Sequence, residues 1–446
     1  MDFIEACRKF IEIDSTPANG NWELANYAAD LCRRAGLHVE VQEDSQNGLA
    51  QANLIARPLE TRPDDEILLQ THFDTCDPGN YALWTRTGAN PFNGSLYLDT
   101  LYGLGAATKL DFLCKLSAAL QLRGKNLKRP YVLVGTFGEE IGMPGAIKLI
   151  RRKKINAKTA LVGEPTDLRL VHAGKGFASV EIEVPFSDEE KNFRRQHDLG
   201  QGTTTQSRVF TGKPSHSADP TLGDSAINKL LDCLIRLPEG LAVMEIEGGT
   251  SYNTVPGHAV LEIDIVADLQ DAIVSKITRI QRAIQSVEQA FKAFVDHDFD
   301  PPSPTLNIGL IRTYEDYVKI SGCCRLPPSV SDEVYEEWMA ILRAACNDVG
   351  AIFRVTDHKQ PFRTPLDEPL IKICQEQLEI QGRPSVCGTQ SVANEANVFS
   401  RFGISCVVFG PGIGIGNSHA PNEHVKVDDL FQATQFYKGV LERVCL

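Results

Sequence analysis

Apolar runs of strand length alternate with helical patterns in the first part of the chain. The run 131–137 is largely apolar and rich in β-branched residues, which predicts a buried strand, and similar runs occupy 67–71 and 160–163. Helical spacing of apolar residues appears between and after these runs, over 110–120 and 146–152. This alternation is typical of an α/β domain with a mixed, largely parallel sheet flanked by helices.

Two helical patterns open the chain, at 3–13 and 21–35. The second is predicted to end at Gly36, because glycine tolerates the left-handed conformation that often follows a helix. Short strands are predicted at 39–41 and 52–56, between these helices and the first buried strand.

The pattern changes after Gly174, where apolar and polar residues alternate with a period of two, as they do in strands with one exposed face. The alternating segments are 177–184, 209–212, 241–246, 259–265, 306–311 and 318–324, and the helical ones are 225–237 and 331–347. A polar stretch at 187–206 predicts a loop. The region therefore predicts a separate α+β domain.

The α/β pattern returns after residue 365. Its elements are helices at 369–378, 392–402 and 427–444 and a strand at 405–409. The second domain is therefore predicted to be inserted into the first. The predicted limits are 1–174 and 358–446 for the two parts of the first domain and 175–357 for the insertion.

A row of apolar residues at alternating spacings of four and three runs from Ile273 to Phe294. Such a row either contacts a partner helix or packs on the sheet of its own domain. Its length of about three heptads favours packing within its own domain.

Composition narrows the range of partners. The net charge of −13 disfavours a nucleic-acid backbone or an anionic membrane as a partner. The twelve cysteines have no CxxC spacing and the first residues lack a basic, apolar leader, which together predict a reducing cytoplasm. No apolar run approaches the ~20 residues that a membrane span needs.

Two adjacent acids, Glu139 and Glu140, follow the central predicted strand directly. Two ionised carboxylates side by side repel each other, unless one binds a cation and the other acts as a base poised near neutral pH. An isolated pair of this kind would indicate a solvated turn. The residues at the ends of the other strands favour a chemical role instead.

Residues that bind metals follow three further apolar runs, namely His72, Glu164 and His419. The carboxyl ends of strands in an open α/β sheet face one crevice, so these side chains are expected to meet the acid pair there. Imidazoles and carboxylates form a donor set suited to zinc, with cobalt or manganese as alternatives. Asp74 lies on the same side of its strand as His72 and can hold the far nitrogen of the imidazole.

Five motifs carry a resemblance to a known family. They are Leu-Gln-Thr-His-Phe-Asp at 69–74, Gly-Glu-Glu at 138–140, Val-Gly-Glu-Pro-Thr at 162–166, Gly-Lys-Pro-Ser-His-Ser at 212–217, and Phe-Gly-Pro-Gly at 409–412 with His419. In this order they resemble the zinc amidohydrolase and peptidase family of acetylornithine deacetylase, succinyl-diaminopimelate desuccinylase, aminoacylase and carboxypeptidase G. The resemblance implies a catalytic zinc domain interrupted by a ferredoxin-like α+β lid that mediates homodimer formation.

The resemblance also implies roles for the residues at the strand ends. His72 and Glu164 would bind one zinc ion, and Glu140 and His419 the other. Asp74 would orient His72. Glu139 would be the general base that takes a proton from the water activated by the metal, which then attacks an amide carbonyl.

Three residues of the inserted domain match substrate-binding positions of the family. His216 would stabilise the oxyanion, and Asn253, in Asn253-Thr254-Val255-Pro256, would contact the substrate. Arg325 would bind a carboxylate. The implied substrate is therefore an N-acyl amino acid or a short peptide.

One departure from the family pattern concerns the turn before the third helix. The family has Gly-x-Gly-x-x-Asp-x-Lys, in which the aspartate bridges two metal ions, whereas this chain has Gly103-Leu-Gly-Ala-Ala-Thr-Lys109 without an aspartate. Thr108 is a poor neutral substitute, and Asp111 has the pattern of a solvated helix acid. Two divalent ions in close proximity repel without a shared carboxylate, so we expect one zinc ion or none, with impaired hydrolysis.

Three functions remain open from the sequence. The first is a zinc-dependent hydrolase of N-acyl amino acids or short peptides. The second is a non-catalytic homologue that binds an amino-acid-like ligand or a protein partner, which the missing aspartate favours and the retained base disfavours. The third is a metal-independent α/β binding protein, which would require five motifs to coincide by chance.

Overall fold

The computed structural model describes residues 2–59, 65–196, 205–237, 241–265 and 272–446, and the chain divides into two units. The first unit comprises Met1–Gly174, Phe362–Thr389 and Asn394–Leu446, and the second comprises Lys175–Pro361 and Gln390–Ala393. The chain therefore passes twice from the first unit into the second and back.

The elements up to residue 174 are α1 (Phe3–Glu12), α2 (Trp22–Arg34), β1 (Leu37–Gln46), β2 (Leu49–Pro58), β3 (Glu66–His72), β4 (Ser95–Tyr97), β5 (Thr100–Tyr102), α3 (Asp111–Leu120), β6 (Tyr131–Thr136), α4 (Pro144–Arg151), β7 (Ala157–Gly163) and β8 (Leu170–Gly174). The elements of the middle region are β9 (Gly176–Pro185), α5 (Asp188–Gln196), β10 (Gln206–Thr211), β11 (Ser215–His216), α6 (Ala226–Leu234), β12 (Leu241–Gly248), β13 (Thr254–Val255), β14 (His258–Ile265), α7 (Ile273–Ala290), β15 (Thr305–Thr313), β16 (Tyr317–Leu326), α8 (Asp332–Asn347) and β17 (Ile352–Lys359). The C-terminal elements are β18 (Phe362–Arg363), α9 (Pro369–Ile380), β19 (Cys387–Gln390), α10 (Glu395–Arg401), β20 (Ser405–Val408), β21 (His424–Lys426) and α11 (Val427–Cys445).

The main sheet of the first unit has the strand order β1-β2-β6-β3-β7-β20-β8-β18, with β19 paired to β8. Its centre, β6-β3-β7-β20, is parallel, and the outer strands pair antiparallel. The register aligns the carboxyl ends of the central strands, since His72 lies opposite Thr136 and Thr71 opposite Gly163. The residues that follow β3, β6 and β7 therefore emerge at one edge of the sheet.

The second unit contains an antiparallel sheet with the order β10-β14-β12-β15-β16-β9-β17 and a two-stranded sheet, β11-β13. Its core combines the inward residues of this sheet with α6, α7 and α8. The predicted fold class, an α/β domain with a mixed sheet and a separate α+β domain, is confirmed.

The apolar row on α7 packs within its own unit, as its length predicted. Its buried members are Ile273, Ile277, Ile280, Ile284 and Val287. Phe294 continues the row past the helix end and packs against Trp338, with ring centroids 5.3 Å apart. The row is therefore part of the core of the second unit.

One local prediction was wrong, and two predicted strands were too short. The polar stretch at 187–206 begins with a helix, α5, because Ser187 and Glu190 form a capping box in which each side chain accepts from the other residue's backbone N–H. Residues 197–204 of that stretch lie outside the described residues. Strands β1 and β2 are ten residues long and form a hairpin, closed by Asn47 and Gly48 in left-handed conformations.

Asp111 is buried, so the prediction of a solvated helix acid was also wrong. Its carboxylate lies 2.6 Å from the ammonium of Lys115, and it accepts hydrogen bonds from the hydroxyls of Thr71 at 2.8 Å and Tyr437 at 2.6 Å. A Cβ on Gly163 would lie 2.1 Å from this carboxylate, so only glycine fits at the end of β7. The ion pair thus lies directly beneath the ends of β3 and β7.

None of the helices in the described parts of the chain is long and apolar enough to cross a lipid bilayer.

Replacing Asp111 by alanine would leave the Lys115 ammonium buried without its counter-charge. We expect a loss of about 3–5 kcal/mol in the free energy of unfolding, measured by chemical denaturation. The control is Glu376→Ala, which removes an exposed ion pair with Arg443 and is expected to cost less than about 1 kcal/mol. Equal losses in the two variants would contradict the role of the buried pair.

Candidate metal centre and active site

The acid pair lies in a tight turn at the end of β6. Gly138 has a φ of 74° and Gly142 a φ of 101°, so the chain reverses through left-handed positions that favour glycine. The turn leaves Glu139 and Glu140 half-buried rather than in open solvent. Their backbone conformation is therefore fixed by the glycines on either side.

Asp74 holds this turn from the neighbouring strand end. Its two carboxylate oxygens accept the backbone N–H groups of Glu139, at 3.1 Å, and Glu140, at 3.0 Å. His72 Nδ1 is 3.0 Å from the backbone carbonyl of Asp74 and 3.6 Å from its carboxylate. Asp74 therefore orients the imidazole mainly through its main chain, while its carboxylate fixes the acid pair.

The remaining predicted ligands lie close to the acid pair. His419 Nε2 is 2.7 Å from Glu140 Oε1, and His419 itself occupies a left-handed position with a φ of 61°. Glu164, which directly follows β7, has a buried Oε1 with no hydrogen-bond partner among the described residues. His419 and Glu140 are therefore in direct contact, and His72 and Glu164 are close enough to interact electrostatically with Glu139. The role of these four residues as metal ligands stays a prediction.

Burial and neighbouring charges shift the pKa values of these groups. Burial and the charge of Glu164 raise the pKa of Glu139 well above its usual range, and burial raises the pKa of Glu164 to about 7. Burial alone would lower the pKa of His72, but Asp74, Glu164 and Glu139 raise it well above its ordinary value. The hydrogen bond to Glu140 raises the pKa of His419.

The turn between β5 and α3 faces this site without a carboxylate. Lys109 is buried and its ammonium donates to the carbonyl of Ile13 at 3.1 Å and to Ser15 Oγ at 3.4 Å. Burial lowers the pKa of Lys109 to about 8. Asp111 is held by Lys115 beneath the strand ends, as described above, and does not replace the missing acid.

Glu423 is a functional candidate that the sequence did not reveal. Its buried carboxylate accepts the backbone N–H of Ala107 at 2.8 Å, and its carbonyl accepts that of Gly103 at 2.9 Å. Burial raises the pKa of Glu423 to about 6, against the opposing charge of His419. Glu423 thus ties the glycine turn to the loop of His419. Its spacing of four residues from His419 is the only sequence signal.

The predicted substrate residues belong to the second unit. His216 ends β11 and lies opposite Thr254 of β13. Asn253 directly precedes β13, and its carbonyl accepts the backbone N–H of Ser217 at 2.9 Å. Arg325 is buried at the end of β16, with its guanidinium 4.7 Å from the ring centroid of Phe177. Their role in substrate binding stays a prediction.

The residues of the first unit fit a metal ion in donor type and charge. The crowded acids and the unpartnered Glu164 oxygen describe a buried negative site that a divalent cation would neutralise. Within the residues described, however, no three His, Cys, Asp or Glu side chains are spaced to form a metal cage. The donors therefore fit, while the arrangement lacks the shared ligand that would complete a two-ion centre.

The first unit thus combines a mixed α/β sheet with imidazoles and carboxylates near its carboxyl edge, and the second unit is a separate antiparallel α+β domain. The chain belongs to peptidase family M20/M25/M40, whose model matches residues 68–443. Its members include deacylases and dipeptidases.

Individual relatives are distant in sequence and similar over nearly the whole chain. Acetylornithine deacetylase from Myxococcus xanthus is 26% identical over 449 residues, covering 98% of this chain and 96% of that protein. An M20 family metallo-carboxypeptidase from Sulfolobus solfataricus superposes with a TM-score of 0.65 at 18% identity, covering 99% of both chains. A Bacillus subtilis protein described as a dinuclear metal binding peptidase of the M20 family gives 0.53 at 14% identity, covering 99% and 98%.

Replacing Asp74 by asparagine tests whether its carboxylate fixes the acid pair. The asparagine side chain can accept only one of the two N–H groups, so we expect the amides of Glu139 and Glu140 to exchange with solvent about 10-fold faster, as measured by hydrogen exchange. Asp77→Asn, at an exposed acid that accepts the backbone N–H of Gly79, is the control and is expected to change nothing at 139–140. Unchanged exchange in the Asp74 variant would refute the assignment.

Proposed function

We propose that this chain has the scaffold of a zinc-dependent hydrolase that cleaves the amide bond of N-acyl amino acids or short peptides. The observation that carries the proposal is the contact between His419 and Glu140 at 2.7 Å, next to Glu139, whose charge interacts with those of His72 and Glu164. The naming of the Myxococcus xanthus relative as an acetylornithine deacetylase supports an N-acyl amino acid as substrate.

Each residue of the site has a separate role in this proposal. His72 and Glu164 would hold one zinc ion and Glu140 and His419 the other, with cobalt or manganese as alternatives. Bound zinc would supply positive charge that polarises a carbonyl group and acidifies water. Glu139 accepts the proton of the attacking water, and its raised pKa is suited to passing that proton to the leaving amine.

The substrate is bound by residues of the second unit in this proposal. Arg325 pairs with a free carboxylate, Asn253 contacts the substrate, and His216 stabilises the developing oxyanion. The same unit serves as lid and homodimer interface. The cysteine spacing supports a reducing cytoplasm as the compartment.

We further propose that the metal centre of this chain is incomplete. The turn from Gly103 to Lys109 contains no carboxylate, and Asp111 is already held by Lys115, Thr71 and Tyr437. Without a shared acid, two divalent ions repel each other, so the chain binds one zinc ion or none and hydrolysis is impaired.

The same observation favours a second function, a non-catalytic homologue that binds an amino-acid-like ligand or a protein partner through this crevice or through the second unit. Retention of Glu139 weighs against it, because binding alone needs no general base.

Inserting one aspartate between Ala107 and Thr108 separates these functions. We expect the zinc content, measured by elemental analysis, to rise to two ions per chain and the hydrolysis of a panel of N-acetyl amino acids to increase at least 100-fold. Insertion of asparagine at the same place restores the length of the turn without the charge and is expected to do neither. If aspartate changes neither quantity, the non-catalytic function is favoured.

Replacing Glu139 by glutamine tests the general base in the aspartate-inserted chain. The amide cannot accept the proton, so we expect hydrolysis to fall by about 10²–10⁴-fold while zinc content stays the same. If the Glu139→Gln variant still hydrolyses the substrate at the same rate, another residue is the general base.

A further inference from the structure

Glu395 is a fully buried acid that none of the predicted roles uses. It is the first residue of α10, directly after the N-cap Asn394, whose side chain accepts the N–H of Ala396 at 2.9 Å. A helix N-terminus favours a negatively charged side chain. Burial nevertheless raises the pKa of Glu395 to about 8, although the charge of His72 acts to lower it. A group this costly to bury calls for a specific function.

The contacts of Glu395 lead to the strand that carries His72. Its Oε2 accepts the hydroxyl of Thr136 at 2.7 Å and the side-chain amide of Gln70, and that amide also donates to Thr136 Oγ1 at 3.0 Å. Gln70 and His72 lie on the same side of β3, because side chains alternate along a strand. Thr136 lies opposite His72 in the sheet. Glu395 therefore holds together the ends of β3 and β6 on the side of the imidazole.

The opposite side of the same strand end is held by the buried ion pair. Lys115 donates to the hydroxyl of Thr71 at 3.1 Å, and Thr71 donates to Asp111 at 2.8 Å. The two residues before His72 are thus fixed from both faces of the sheet. Not every polar atom around Glu395 is hydrogen-bonded, however. Its Oε1 and the Oε1 of Gln70 have no hydrogen-bond partner within the described part of the chain.

The position of Glu395 along the chain adds a second observation. Residues Gln390–Ala393 belong to the second unit, and the chain re-enters the first unit at Asn394. Glu395 is therefore the second residue after this crossing, and its hydrogen bonds join the returning chain to Gln70 of β3 and Thr136 of β6.

We propose that Glu395 is a positioning residue of the metal centre. Through Gln70 and Thr136 it fixes the end of β3, and with it the ring of His72, at the point where the chain returns from the second unit. This inference rests on the proposed function in so far as His72 is a metal ligand. The effect on β3 itself does not depend on metal binding.

The test compares Glu395→Ala with the parent chain by two measurements. In the metal-free protein, hydrogen exchange at residues 70–72 should become at least 10-fold faster, because Gln70 and Thr136 lose their shared acceptor. Titration with Co²⁺, followed by its visible absorption, should show an affinity at least 10-fold lower and a changed spectrum, as expected when the support of a histidine ligand is removed. Glu395→Gln keeps an acceptor oxygen and should stay within about threefold of the parent in both measurements.

Glu190→Ala is the matched control. Glu190 is a buried acid of the second unit that accepts the backbone N–H of Ile273 at 2.7 Å, so its loss should lower stability without affecting residues 70–72 or Co²⁺ binding. If Glu395→Ala behaves like this control, the proposal is overturned. If the parent chain binds no Co²⁺, metal binding under the proposed function fails for this chain, while the exchange result still decides the role of Glu395.

Thr136→Val serves where Glu395→Ala does not fold. It has nearly the same shape and removes the hydroxyl that donates to Glu395 and accepts from the Gln70 amide. An increase in exchange at 70–72 of about threefold or more supports the proposal, and unchanged exchange overturns it.

Discussion

The parallel pairing of β6, β3 and β7 is the constraint on which the rest of the molecule depends. Its register sets Thr136 beside His72 and Gly163 beside Thr71, so that the residues after these strands emerge at one edge. Glu139 and Glu140, after β6, and Glu164, after β7, place negative charge at this edge. Asp74 reduces the cost by binding main-chain N–H groups, and the imidazoles of His72 and His419 supply partial counter-charge.

The buried acids of the first unit are of two kinds. Some have a partner for each carboxylate oxygen among the described residues, and others do not. Asp111 pairs with the Lys115 ammonium and accepts hydrogen bonds from the hydroxyls of Thr71 and Tyr437. It therefore stabilises the packing of α3 beneath the sheet. Glu164 and Glu395 each keep an oxygen without a partner among the described residues. Protein interiors rarely leave such atoms without a partner, and these two acids lie near the carboxyl ends of the central strands.

The sequence predicted the fold class because strand and helix periods are local properties. It also singled out His72, Glu139, Glu140, Glu164 and His419 as site residues, because each follows an apolar run or lies in a motif, and their roles stay predictions. It did not reveal Glu395 or Glu423, whose main contacts lie 325 and 316 residues away in the chain. Asp111 was misjudged for the same reason, since its neighbour Lys115 is equally typical of a solvated helix and only the packing of α3 against β3 and α11 buries both.

The anchoring of the glycine turn by Glu423 has a consequence for how this family can vary. Glu423 binds main-chain N–H groups, which every residue except proline provides. This attachment therefore does not depend on which side chains the turn carries. A loop attached in this way can shorten by one residue, or exchange an acid for a neutral group, without detaching from the loop of His419. The architecture of this part of the first unit therefore does not require an acid in the turn.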